Sequence, residues 1–172
     1  ITNLTGASVL TCALTSIDVQ ATGGLVYEWN NSIGFGAAQS FSTPGNYQVT
    51  VTGANGCDAS ASIAITQDLS TPAIAVVNAS GNNVLTCANT SINLTATGGS
   101  NYVWTDAQGN TVATGATFSA TQPGVYTLTG TGTNGCEGSA TYEILQDIAV
   151  PAISLTRSEE HTSELQSRQY LV

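Results

Sequence analysis

The feature of the sequence that most constrains its fold is a pattern that occurs twice. VLTCALTSIDVQATGGLVYEW (residues 9–29) recurs as VLTCANTSINLTATGGSNYVW (residues 84–104), and PGNYQVTVTGANGC (residues 44–57) recurs as PGVYTLTGTGTNGC (residues 123–136). Internal repetition predicts successive units of one fold. The offset grows from 75 residues (Cys12 to Cys87) to 79 (Cys57 to Cys136), and we place the four extra residues in a hairpin between the Trp and the Tyr of the second repeat.

The segments that join the repeats also recur. ITQDLSTPAIAVV, which contains Asp68 and Pro72, leads into the second repeat, and ILQDIAVPAISLT, which contains Asp147 and Pro151, leads towards a third. A linker of constant length predicts a fixed angle between repeats. The predicted domains are a first, N-terminally truncated repeat at residues 1–69, a second repeat at 70–148, the start of a third at 149–156, and a tail at 157–172.

Within each repeat the apolar residues alternate with polar ones. Ile17, Val19 and Ala21 enclose Asp18 and Gln20, which is the period of a strand with one buried and one solvated face. The strands are separated by TGG, TPG and ANG turn signals, and no segment of either repeat has a helical pattern. The sequence therefore predicts an all-β fold of two tandem antiparallel β-sandwich domains.

One glycine-rich motif needs a separate interpretation. GTGTNG (residues 130–135) matches the dinucleotide-binding pattern GxGxxG, but that pattern requires a helix directly after it. Here a β-patterned segment, CEGSATYEI, follows, so we interpret the motif as the turn of a hairpin.

The aromatic residues are predicted to mark the core. Tyr47 and Tyr126 follow a PG turn, where a sandwich commonly ties a tyrosine hydroxyl back to the backbone. Phe35, in a glycine-flanked loop, is the aromatic that we expect to be exposed. The predicted core markers are Tyr27, Trp29, Tyr47, Tyr102, Trp104 and Tyr126.

The four cysteines fall as one pair per repeat. We predict the disulfides Cys12–Cys57 and Cys87–Cys136, since a bridge across a loop of this size adds about 4 kcal/mol to a small unit with a thin core. Free buried thiols or a metal site are the alternatives, although no CxxC spacing or nearby His supports zinc. The sequence does not show that the members of each predicted pair meet.

The distribution of charge excludes several functions. Residues 1–156 contain eight acids and no Lys, Arg or His, since both bases, the only His and three of the eleven acids lie in the tail. Such a chain cannot neutralise phosphates, so nucleic acid and anionic membrane surfaces are not expected partners. No apolar run is long enough to insert into a membrane. Scattered acids without His or Lys also do not predict an enzyme.

A metal site has little support. Asp68 and Asp147 recur, one in each linker, and carboxylates at a domain junction are ligands that calcium accepts. A calcium site needs several converging oxygens, however, so solvated surface charge is the favoured interpretation and no cofactor is expected.

The blocks LTC, TSIxLxATGG, YxW, TxPGxYxVTVTGANGC and SxxIxxTQD together resemble the Ig-like, PKD-like repeats of large bacterial surface and secreted proteins, especially those of gliding bacteria that export by the type IX route. The resemblance covers nearly all of residues 1–156. It implies an extracellular or cell-surface stalk, spacer or adhesin without an active site, whose partners are neighbouring repeats and surface glycans or proteins. The alternative is a glycan-binding accessory module of a secreted polysaccharide-degrading enzyme. Gly130 departs from the family pattern, which usually has a β-branched residue there.

The tail is unlike the rest of the chain. RSEEHTSELQSRQYLV (residues 157–172) is charged and favours a helix, where a third repeat should have a segment like NASGNNVLTC. Residues 157–166 resemble the in-frame translation of a common short-read sequencing adapter. We therefore expect the tail to be non-native, either unstructured or a short helix, and leave it out of the fold prediction.

Overall fold

A computed structural model describes residues 1–30 and 34–155 of the chain. All the regular structure in these residues is β-strand, as the alternating pattern predicts. The predicted non-native tail, residues 157–172, lies outside the described residues, as does the last residue, 156, of the predicted start of a third repeat.

Eight strands come from the first part of the chain and form two sheets. The three-stranded sheet has the order β1-β3-β6, and the five-stranded sheet has the order β2-β8-β7-β4-β5. The strands are β1 (Thr2–Asn3), β2 (Val9–Thr11), β3 (Ile17–Gln20), β4 (Val26–Trp29), β5 (Gly34–Phe35), β6 (Ala38–Phe41), β7 (Gly45–Thr52) and β8 (Asp58–Asp68).

The second part of the chain repeats this arrangement strand for strand. Its sheets have the orders β9-β11-β14 and β10-β16-β15-β12-β13. The strands are β9 (Ala75–Asn78), β10 (Val84–Leu85), β11 (Ile92–Thr97), β12 (Ser100–Thr105), β13 (Thr111–Thr114), β14 (Thr117–Ala120), β15 (Gly124–Thr131) and β16 (Glu137–Gln146). The chain is therefore two successive β-sandwiches of immunoglobulin-like strand order.

One strand pair in each sandwich is parallel, which the sequence did not predict. β2 pairs with the end of β8, with Val9 opposite Thr66 and Thr11 opposite Asp68, and β10 pairs in the same way with the end of β16. The reason is that the chain leaves the small sheet after β1 and crosses to the large one without reversing direction. All the other strand pairs of the described residues are antiparallel.

The four extra residues of the second repeat lie in a hairpin, as predicted. Trp29 faces Gly34 across β4 and β5, five residues later, whereas Trp104 faces Ala113 across β12 and β13, nine residues later. The difference accounts for the whole insertion, so it changes one edge hairpin and leaves the rest of the sandwich unaltered.

Each sandwich has its own core around a tryptophan. The Nε1–H groups of Trp29 and Trp104 donate to the carbonyl oxygens of Gly36 (2.9 Å) and Gly115 (3.1 Å), which removes the cost of burying an indole N–H. Tyr27 and Tyr102 are half-buried against these cores. The buried residues are Leu10, Ile17, Val19, Ala21, Trp29, Phe41, Tyr47, Val49 and Ile65 in the first core, and Ile74, Leu85, Ile92, Leu94, Ala96, Trp104, Ala120, Tyr126, Leu128 and Ile144 in the second.

The two tyrosines after the PG turns form the predicted backbone tie. The Tyr47 hydroxyl donates to the Thr43 carbonyl oxygen (2.9 Å), and the Tyr126 hydroxyl donates to the Gln122 carbonyl oxygen (3.0 Å). In antibody domains the residue two positions after this tyrosine is a cysteine of the inter-sheet disulfide. Here that residue is Val49 in the first sandwich and Leu128 in the second, and both are buried. Aliphatic packing therefore replaces the covalent bond that antibody domains have at this position.

Because the cores lack a covalent bond between the sheets, we expect their stability to depend on this packing. Val49→Ala should lower the free energy of unfolding by about 2 kcal/mol, from lost apolar burial and the cavity that is left. The matched control is Val26→Ala, the same chemical change at an exposed position of the same sheet, which should change it by less than about 0.5 kcal/mol. Urea denaturation followed by tryptophan fluorescence measures both values, and equal losses would contradict this account of the core.

Candidate functional site at the repeat junction

The candidate functional site is the junction between the two sandwiches, which a disulfide closes. Cys12, just after β2, is bonded to Cys136, just before β16, with a Cα–Cα distance of 5.0 Å and 124 residues between them in sequence. The predicted pairs Cys12–Cys57 and Cys87–Cys136 are therefore wrong. Cys57 and Cys87 are exposed and carry free thiols.

The path of β8 explains why the predicted pairs do not form. Cys57 directly precedes β8, whereas Cys12 follows β2, whose last residue, Thr11, lies opposite Asp68 at the far end of β8. A strand rises about 3.3 Å per residue, so the eleven residues of β8 separate the two cysteines by roughly 35 Å, far beyond the Cα–Cα distance of a disulfide. Cys87 and Cys136 are separated by β16 in the same way.

A tight turn presents Cys12 to the second sandwich. The Thr11 N–H donates to the Leu14 carbonyl oxygen (2.8 Å), and the Leu14 N–H donates to the Thr11 hydroxyl oxygen (3.0 Å). Ala13, the residue after Cys12, donates its N–H to the Asn134 carbonyl oxygen of the second sandwich (3.3 Å). The turn therefore holds both the cysteine and a backbone donor against the neighbouring domain.

The β15–β16 hairpin presents Cys136. The Gly132 N–H donates to the Cys136 carbonyl oxygen (2.8 Å), and Gly135 adopts a φ of 78°, a left-handed conformation that suits glycine. This hairpin contains the GTGTNG motif, and β16 follows it directly, so the hairpin interpretation of the motif is confirmed. Any side chain at residue 135 would also collide with Ala13, so the glycine permits the close approach of the two domains.

Asn134 joins this hairpin to the linker, which we define as residues 69–74. Its side-chain oxygen accepts from the Cys136 N–H (3.1 Å), while its amide nitrogen donates to the Ser70 carbonyl oxygen (2.8 Å) and the Asp68 carboxylate (3.3 Å). One side chain thus orients the cysteine and holds the linker. The recurrence of Asn in ANG and TNG indicated a turn, but nothing in that local pattern indicated a second partner.

The Asp68 carboxylate shapes the linker. Hydrogen bonds from the Ser70 hydroxyl, the Ser70 N–H and the Asn134 amide hold its pKa below the ordinary value of an Asp. Asp147 accepts in a similar way from the Ala149 N–H (3.2 Å). The two weak metal candidates are therefore turn acceptors. Within residues 1–30 and 34–155, no group of three or more His, Cys, Asp and Glu residues is arranged to hold a metal ion.

Ile74 anchors the linker to the second sandwich. It is 9% exposed, belongs to the core of that sandwich, and its Cδ1 atom lies 2.7 Å from where a Cβ atom would stand on Gly99 or Gly130. The first-repeat counterpart of Gly130 is Val51. Gly130, where the first repeat has a valine, is therefore the place where the linker isoleucine packs.

A groove with a volume of about 260 Å³ lies between the linker and the second sandwich. Residues of the linker, of the β11–β12 turn and of the β15–β16 hairpin line it, and Asp68 is the ionisable side chain among them. Most of the residues that line the groove are glycines or have small polar side chains, as is usual for a structural contact between domains.

Comparisons with known proteins add little to this description. No family model and no curated protein matches the chain. Nine solved chains match it. One is the amphioxus IgVJ-C2 molecule, at 15% sequence identity and a TM-score of 0.37, with 76% of this chain and 96% of that chain covered. The immunoglobulin-like architecture is therefore assigned on the order of the strands described above.

The described residues also contain no helix of the length and apolarity that would cross a bilayer.

The hydrogen bonds around Asp68 predict an ordered set of pKa changes. Ser70→Ala should raise the Asp68 pKa most, because the Ser70 hydroxyl lowers it most, and Asn134→Ala should raise it less. The matched control, Asn55→Ala in the hairpin of the first repeat, should leave it unchanged. NMR titration of the Asp68 carboxyl carbon measures all three values. Since the folded-state pKa is lowered, the bonds stabilise the junction above the ordinary Asp pKa and are lost as the pH falls through the folded-state value.

Proposed function

We propose that the chain is a non-catalytic structural module of a large bacterial surface or secreted protein, in which Ig-like repeats form a stalk, spacer or adhesin arm. The observation that carries this proposal is the covalent junction between successive repeats. Disulfides persist in oxidising compartments, which supports an extracellular or cell-surface location. The export by the type IX route and the partners that the family resemblance implies belong to the same proposal.

Three contacts of different kinds support the structural role. The disulfide prevents the two repeats from separating, the Asn134 amide holds the linker at Ser70, and Ile74 packs the linker into the second core. Domains in one chain usually move relative to each other unless their interface is large. A covalent bond beside a hydrogen-bonded linker restricts that motion, and a spacer of defined length requires such restriction.

The position of the disulfide also suits a module that carries tension. A pull on the two ends of the chain reaches Cys12 and Cys136, and the disulfide then carries the load between them. The 124 residues of sequence separation lie within the closed loop and cannot extend while the bond is intact. At about 3.3–3.6 Å per residue, the protected length is roughly 400 Å.

Single-molecule force spectroscopy tests this function. Two chains are compared, one with the Cys12–Cys136 disulfide and one without it. Both carry Cys57→Ser and Cys87→Ser, so that no free thiol reacts, and both are stretched from their ends. The oxidised chain should extend only by the segments before Cys12 and after Cys136, whereas the chain that also carries Cys12→Ser and Cys136→Ser should release roughly 400 Å more. Circular dichroism should be the same for both, since each core lies within its own sandwich. Equal extension of the two chains would refute the load-bearing role.

The second candidate function, glycan binding, is favoured by Phe35. It is 74% exposed on the edge strand β5, whereas Trp29 and Trp104 are buried and cannot stack on a sugar. Aromatic platforms are a common means of binding ring-shaped ligands. If this surface binds a glycan, the module is an accessory to a secreted enzyme.

A glycan array probed with the whole chain separates the two functions. The spacer function predicts no binding above background. The matched variants are Phe35→Ala and Leu25→Ala, since Leu25 is 73% exposed on the same sandwich. Binding that Phe35→Ala abolishes and Leu25→Ala preserves would establish the glycan-binding function.

A further inference from the structure

The two free thiols are the sequence counterparts of the two bonded cysteines. Cys87 occupies in the second repeat the place of Cys12 in the first, and Cys57 occupies in the first repeat the place of Cys136 in the second. The structure therefore contains one complete junction, Cys12–Cys136, and one further copy of each half of it.

We propose that these halves are complementary, so that a Cys87 half binds the Cys57 half of the repeat that follows it in an array and forms a disulfide with it; for the chain by itself, that repeat is the first sandwich of a second copy, head to tail. The proposal rests on the proposed function, because it extends the disulfide-linked array from two repeats to many. The bonded pair Cys12–Cys136 is the observation that identifies the partner, since it shows which surface each half binds.

Cys87 is presented in the same way as Cys12. The Thr86 N–H donates to the Asn89 carbonyl oxygen (2.8 Å), and the Asn89 N–H donates to the Thr86 hydroxyl oxygen (3.0 Å). These are the same two bonds, at the same lengths, as those that form the turn around Cys12. The parallel pairing of β10 with the end of β16 also places Cys87 at the same end of its sandwich.

Cys57 is presented in the same way as Cys136. The Gly53 N–H donates to the Cys57 carbonyl oxygen (2.9 Å), and the Cys57 N–H donates to the Asn55 side-chain oxygen (3.1 Å). Gly56 has a φ of 77°, within one degree of the value at its counterpart in the second repeat. The Asn55 amide nitrogen forms no hydrogen bond with the described residues. It can therefore donate to a linker, as the Asn134 amide nitrogen donates to Ser70.

The segment that follows the second sandwich also carries the parts of a linker. Asp147 accepts from the Ala149 N–H (3.2 Å), as Asp68 accepts from the Ser70 N–H (3.0 Å). Ile153, the counterpart of Ile74, is 88% exposed. An apolar side chain that the existing junction buries is therefore left in solvent at the end where the second junction would form.

Two differences make the disulfide more important in the second junction than in the first. Ala149 stands in place of Ser70, which removes the hydroxyl donor to the linker carboxylate, and Val51 stands in place of Gly130, which fills the space that receives Ile74. The non-covalent part of the contact is therefore weaker, and we expect the contact to persist only when the disulfide is formed.

The two halves are different surfaces, so the contact is heterologous. Each copy has one Cys57 end and one Cys87 end, and a heterologous contact that does not close into a ring produces an open chain of copies. The reaction joins two thiols. Each Cys loses a proton, together they lose two electrons, and a disulfide oxidant such as glutathione disulfide accepts these to become two thiols.

The experiment mixes two variants of the full chain in a glutathione redox buffer. Cys57→Ser retains the free Cys87, and Cys87→Ser retains the free Cys57, so that each variant alone can form only a homodimer. Non-reducing electrophoresis and mass spectrometry of the disulfide-linked peptides then measure the products. The same mixture in concentrated urea gives the random reference, in which heterodimers make up about half of the dimers because pairing is unselective.

The proposal predicts a heterodimer share well above this reference, with Cys57–Cys87 as the dominant cross-link, and a ladder of oligomers from the unmodified chain. Asn55→Ala in the Cys87→Ser partner should lower the heterodimer yield, because it removes the amide that orients Cys57 and binds the linker. A random share under native conditions, or thiols that end only as glutathione adducts, would overturn the proposal. The force experiment depends on Cys12 and Cys136 alone, so the two proposals can fail separately.

Discussion

The parallel pairing of β2 with the end of β8 is the constraint on which the rest of the molecule depends. It carries the N-terminal segment across from the small sheet to the large one and brings Thr11 opposite Asp68, where the last strand ends and the linker begins. Cys12 therefore lies at the exit of its own sandwich, where the next domain starts. Without this crossing the cysteine would have no neighbour in the second repeat, and the junction would consist of the linker alone.

This placement separates the stabilisation of the domains from the stabilisation of the array. Each sandwich is held by a buried tryptophan with a satisfied N–H and by aliphatic residues at the site where antibody domains have a disulfide. The cysteines are then available at the ends of the sandwiches, where they act between domains. A covalent bond thus joins the two domains, and apolar packing stabilises the core of each one.

Some of the sequence differences between the two repeats correspond to differences in what each repeat contacts. Gly130 replaces the valine found at residue 51, and the space that it leaves receives Ile74 of the linker. The four extra residues, by contrast, lengthen the β12–β13 hairpin at the edge of the sheet, far in sequence from the linker. A substitution that is unremarkable in a repeat alignment can thus belong to the interface, while a longer insertion affects one loop only.

The sequence by itself determined what depends on local pattern: the repeats, the all-β strands with their buried and solvated faces, the hairpin in GTGTNG, and the tyrosines whose hydroxyls are tied back to the backbone. These features require only that nearby residues have the right period or the right turn chemistry. It could not determine the parallel pairs, the double role of Asn134, or the partner of Cys12. A period of two specifies the face on which a side chain lies but not the end of the sandwich that it reaches. A disulfide requires two Cα atoms within about 7 Å, and only the tertiary path, with β8 holding Cys12 and Cys57 roughly 35 Å apart, decided which cysteines met that condition.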